Sequence, residues 1–167
     1  MVESMCSIQR SQRADRTSLG VFRPKEVLDI EFEQVAPDTE KQRIAEAWAA
    51  QGSLLDDPAE RTHQLEALEL MPWKFKYRYL CSDPACNSHS QSIIDWEIAE
   101  TFRRVRWKED WQDRIKARWI GDLCAPGRDT AFFVGNQHQH PISFLVLGVW
   151  WPERRPEQLA LPEVSDL

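Results

Sequence analysis

At 167 residues, 42% apolar and 29% charged, the chain has the size and make-up of one globular domain, which excludes wholesale disorder. A formal charge of −6 argues against a general nucleic-acid coat protein, and no apolar run reaches the ~18 residues of a membrane span. The first twenty residues lack the apolar segment of a secretion signal. The expected address is therefore the cytoplasm, with metal-bound or free thiols at Cys6, Cys81, Cys86 and Cys124 rather than disulfides.

Residues 1–18 are polar and rich in serine and arginine; they read as a flexible N-terminal arm, with Cys6 an incidental thiol. A single α+β domain is expected over 19–155, and 156–167 read as a mobile tail. Over 27–35, Leu28, Ile30 and Phe32 alternate with Asp29, Glu31 and Glu33, the pattern of a half-buried strand. Thr39 and Gln42 have capping-box spacing ahead of Ile44 and Trp48, which predicts a helix ending at Gly52. Asp57, Pro58 and Glu60 start a second helix, with Leu65, Leu68 and Met71 on one face and Pro72 as its stop.

Residues 73–80 alternate strictly, with Trp73, Phe75, Tyr77 and Tyr79 on one side and Lys74, Lys76 and Arg78 on the other. A loop bearing Cys81, Cys86 and His89 follows, then a returning strand from Ser92 that runs into a helix; the whole reads as a hairpin. Between 98 and 120 the stripe Ile98, Phe102, Val105 is out of phase with Trp107, Trp111, Ile115, Trp119, which predicts a break at 106–108 and a cap at Gly121. Strands are expected over 131–135 and 143–151. The second is apolar on both faces, so it is expected to be central in the sheet or buried in a complex. The order favours an α+β fold: a mostly antiparallel sheet of about five strands packed with three to four helices. The eight tryptophans, spread along the chain, suit an aromatic core with some left to anchor a partner.

The most specific chemical signal is Cys81-x4-Cys86-x2-His89. Zinc takes about four tetrahedral ligands near 2.0–2.3 Å, and ligand pairs across a tight turn supply them readily. Zinc would pin the hairpin tip, with Cys124, His138, His140 or Asp83 as fourth ligand; the bland alternative is a reduced-thiol loop. Asp95 and Glu97 are at the i, i+2 spacing that puts two carboxylates on one side of a strand, as a Mg2+-dependent nuclease needs. A helix start explains them more simply, so they are secondary catalytic candidates. His138-Gln139-His140-Pro141 resembles the HxHP element of JAMM-type zinc isopeptidases, in which two histidines and a downstream aspartate hold a catalytic zinc. The resemblance covers four residues. The downstream Ser-x-x-Asp is missing, and a turn between strands is the preferred reading.

Charge is unevenly distributed. Residues 71–128 hold eleven Lys and Arg against eight Asp and Glu, or +3, so the remainder carries −9. Lys74, Lys76 and Arg78 on one strand face, with Arg103, Arg104 and Arg106 on the following helix, are candidates for contacting nucleic acid or an acidic protein. The leading expectation is a non-enzymatic, zinc-stabilised binding or accessory module presenting that basic face. One alternative is a subunit of a larger assembly that docks through a tryptophan-rich apolar surface. The other is a metal-dependent hydrolase, a nuclease or a JAMM-like enzyme. No membrane partner is expected.

Overall fold

The computed structural model describes residues 4–36, 38–51 and 70–154. In chain order they form helix α1 (Met5–Asp15), strands β1 (Leu19–Phe22) and β2 (Glu26–Gln34), helix α2 (Thr39–Gln51), and strands β3 (Trp73–Leu80) and β4 (His89–Ile93). Helices α3 (Trp96–Val105) and α4 (Trp111–Lys116) follow, then a π-helical turn (Ala117–Asp122) and strands β5 (Ala131–Gln137) and β6 (His140–Trp150). The strands make one six-stranded sheet in the order β1-β5-β6-β4-β3-β2. All neighbours are antiparallel except β4 and β6, which are parallel. The architecture is α+β and mostly antiparallel, with β1 a strand the sequence pattern did not reveal. The helix expected from Asp57 and the tail 156–167 lie outside the described residues. No helix among the described residues is long and apolar enough to cross a membrane.

The strict alternation of β3 sets the inner face. Phe75, Tyr77 and Tyr79 are buried there beside Phe22, Ile30, Ile93, Phe132, Val134, Phe144 and Val146 from the other strands. Over them lie Ile98 and Phe102 of α3, then Ile115, Trp119 and Leu123 beyond the expected break, which falls between α3 and α4. The packing is aromatic: Tyr77 stacks on Phe132 at 4.7 Å, and Phe102 meets Phe75 at 5.8 Å and Trp111 at 5.3 Å. The helix does not stop at Gly121. It widens into the π turn, in which the Leu123 N–H donates to the Arg118 carbonyl. That leaves the Trp119 carbonyl to accept from the Tyr77 hydroxyl at 2.9 Å, so the widened turn satisfies a buried tyrosine.

Strand β2 carries a bulge between Val27 and Asp29, which pairs Val27 with Tyr79 and leaves Leu28 exposed instead of in line with Ile30. Helix α2 starts one residue earlier than the Thr39 cap predicts: the Asp38 carboxylate accepts from the Lys41 N–H at 3.0 Å. Strand β6 is central, as its two-sided apolarity predicts, but Leu147 remains exposed on the outer face. There the sheet divides. The β2-β3-β4 half displays Glu31, Glu33, Lys74, Lys76 and Arg78, while the β1-β5-β6 half displays Leu19, Val21, Phe133 and Leu147, all exposed.

Within the expected N-terminal arm, Met5–Asp15 instead form a docked helix. Ser4 and Ser7 form a reciprocal cap, Met5 and Ile8 share one face, and both are buried against the inner face of the sheet. Ile8 lies over Gly20 of β1, where a β-carbon would come within 2.6 Å of its Cδ1. A side chain at position 20 would require Ile8 to shift.

Candidate metal centre

The loop between β3 and β4 is shaped by its own turn residues. The Asp83 carboxylate accepts from the Ala85 N–H at 3.0 Å, the Asp83 carbonyl accepts from the Cys86 N–H at 3.0 Å, and Pro84 occupies the intervening turn. This folds Cys86 back until its Sγ lies 3.4 Å from the Cys81 N–H. Ser88, at a φ of 102°, then turns the chain so that His89 enters β4 directly opposite Tyr79. The His89 ring stacks on Tyr79 at 5.2 Å, which directs Nε2 toward the Cys81 Sγ at 3.4 Å.

Helix α1 supplies the fourth member. Cys6 Sγ is 3.5 Å from Cys81 Sγ and 3.5 Å from His89 Nε2. The ligand atoms of Cys6, Cys81, Cys86 and His89 all lie within 4.8 Å of one another, close enough to bind one metal ion. Cys81 is buried and the other three are half-buried. Around them, the Tyr79 hydroxyl donates to the Gln91 Oε1, and the Gln91 amide contacts Met5 Sδ at 3.5 Å. Arg10 draws the Asp83 carboxylate into an ion pair at 2.9 Å, where it also caps the loop.

The thiols are poised unequally. Burial opposes ionisation of Cys81, but hydrogen bonds from the Asp83 and Cys6 backbone N–H groups, with His89 and Cys86 beside them, outweigh it and bring the thiol down to about 6. Cys6 is pushed up to about 12 by burial and by the neighbouring Cys81. Cys81 therefore ionises more readily than Cys6, whose proton a bound cation would displace.

The structure brings Cys81, Cys86 and His89 together and completes them with Cys6, not with Cys124, His138 or His140. Cys124 lies beyond the π turn, its Sγ 3.4 Å from the Trp119 carbonyl, and burial pushes its thiol up to about 12. His138 and His140 are exposed at the tight β5–β6 turn, where Gln137 pairs with His140; that is the turn reading of the HxHP element. Asp95 is the N-cap of α3, its carboxylate accepting from the Glu97 N–H at 2.9 Å. Sequence reasoning missed Cys6 because 75 residues separate it from Cys81. The readable signal was the Ser4/Ser7 cap with Met5 and Ile8 three apart.

The basic residues do not gather on one surface. Glu33 pairs with Lys74 at 3.3 Å and also with Lys76, and Glu31 lies 3.9 Å from Arg78, so acids of β2 meet the cations of β3. Arg103, Arg104 and Arg106 belong to the last turn of α3 and its cap, on the other side of the sheet. Arg103 pairs with Glu100, and Arg106 lies over the Trp107 ring at 5.6 Å. Lys74 and Arg103 both help to line a largely apolar cleft of about 870 Å3, together with Trp73, Ile94, Trp96 and Leu145.

Comparison with curated proteins and with solved structures yields no match. A family model described as a domain of unknown function (DUF8757) matches residues 1–165, and the chain belongs to that family.

Proposed function

We propose that the protein is a non-enzymatic binding module whose fold is completed by a structural zinc ion. The observation that carries this reading is the Cys6/Cys81/Cys86/His89 cluster within 4.8 Å. Three sulfurs and one imidazole nitrogen make a Cys3His donor set, the closed four-ligand type used in structural sites, and thiolates favour zinc over the harder cations. Zinc with three thiolates carries a net charge of −1, which the N-terminus of α1 accommodates. The four cysteines are free, which suits a reducing compartment such as the cytoplasm. The test is metal analysis of purified protein. One equivalent of zinc, lost from Cys81→Ser and Cys86→Ser, supports the reading; a zinc-free parent overturns it.

The partner surface is the outer face of the sheet. Binding of nucleic acid or an acidic protein through Lys74, Lys76 and Arg78 requires phosphates or carboxylates to displace Glu31 and Glu33. Such binding must weaken steeply with salt and vanish in the triple alanine variant. The exposed Leu19, Val21, Phe133 and Leu147 favour the second reading, a subunit that docks on another protein through the apolar half of that face. Phe133→Lys should abolish such an assembly in light scattering and leave zinc content unchanged.

A further inference from the structure

Three of the four ligands belong to one hairpin, and the fourth belongs to a separate helix. Helix α1 has little else to hold it. It has 11 residues, below the length at which an isolated helix persists in water, and only Met5 and Ile8 are fully buried beneath it. Its ion pair to the hairpin, Arg10 to Asp83, leaves the arginine largely exposed and is weak for that reason. The first turn of the helix reaches the cluster, with Cys6 Sγ 3.5 Å from both Cys81 Sγ and His89 Nε2. The hairpin, by contrast, is held on both sides, β3 by β2 and β4 by β6.

We propose that α1 is a metal-dependent clasp: bound metal docks it over Gly20, Gln91 and Phe144, and metal loss releases it while the six-stranded sheet stays folded. The proposal rests on the zinc reading above, and it adds that occupancy controls one separable element and not the whole fold. Release uncovers the strip of the inner face that Met5 and Ile8 cover, so the protein has two surfaces selected by metal supply.

The experiment uses the full chain, zinc-loaded and after a high-affinity chelator, with trypsin as probe, because Arg10, Arg13 and Arg16 lie on or just after α1. Cleavage at these three arginines should speed up at least tenfold on chelation and return to its starting rate when zinc is restored. Amides of β3 and β5 should keep their hydrogen-exchange protection throughout. Cys6→Ser should be cleaved at the fast rate even in saturating zinc. If that variant does not fold, chelation of the parent carries the test alone. Unchanged cleavage on chelation of a protein that held one equivalent of zinc overturns the clasp and spares the zinc site. Loss of protection in every strand together also overturns it, since zinc would then hold the whole fold. A parent that never binds zinc defeats both readings.

Discussion

The two ends of the sheet's inner face are covered in different ways. At one end α3, α4 and the π turn bury Ile98, Phe102, Ile115, Trp119 and Leu123 on a bed of Phe75, Tyr77 and Phe132. At the other end α1 offers two fully buried side chains and a cysteine. Each fully buried aliphatic or aromatic side chain contributes roughly 1.5–3 kcal/mol relative to exposure, so the five buried at the aromatic end contribute more than the two beneath α1. A four-ligand cluster at that end, and at no other place among the described residues, follows the deficit in apolar contact. On the zinc reading, coordination would hold the end where apolar burial is smaller.

The contrast can be broken from either side. Trp119→Ala should cost about 3–5 kcal/mol in urea denaturation, with zinc content unchanged, because it empties the aromatic end alone. Zinc removal by chelation should come next. A ligand held at a thousandfold above its Kd contributes about 4 kcal/mol, and the loss should be reversed by added zinc but not magnesium. A zinc-dependent stability of Trp119→Ala smaller than that of the parent would mean that the two ends are coupled. Gly20→Ala, which drives a β-carbon against Ile8, should cost about 1–3 kcal/mol and weaken zinc binding in a chelator competition, because it lifts α1 from the sheet. Unaltered zinc affinity in that variant would detach Cys6 from the site.

The smallest effect belongs to a pair outside both ends. Arg23 bonds Asp129 through Nε at 2.7 Å and Nη2 at 2.8 Å, and this bidentate pairing holds the Asp129 carboxyl below its ordinary 3.8. Its stabilising contribution is present above pH 3.8 and is lost as pH falls through the lower folded value. Both side chains are substantially exposed, so Asp129→Asn should cost only about 0.5 kcal/mol at neutral pH and nothing in strong acid.

Local signals were legible where one element contains its own pattern. The alternation of 73–80 gives β3 residue for residue, the phase change near Arg106 gives the break between α3 and α4, and Asp95 caps a helix as its position suggests. The inner-face partners of those elements are ordinary apolar residues, so burial follows from pattern. The bulge at Val27 is invisible because it shifts register within an unbroken alternation. Strand β1 is four residues long, too short to show a period. The candidate metal centre was half legible: Cys81, Cys86 and His89 share a loop, whereas Cys6 joins them through contacts between distant segments, Ile8 on Gly20, Met5 beside Gln91 and Arg10 with Asp83. A polar, arginine-rich start reads as unstructured because a helix with two buried side chains has almost no apolar period to find.

The most direct test of the central claim is zinc stoichiometry and affinity of the parent against Cys6→Ser, by elemental analysis and competition with a chromophoric chelator. A parent holding one equivalent, with affinity lowered at least a hundredfold in Cys6→Ser, is the outcome a four-ligand site joining α1 to the hairpin requires. A zinc-free parent, or a Cys6→Ser variant that binds zinc as tightly as the parent, would contradict it.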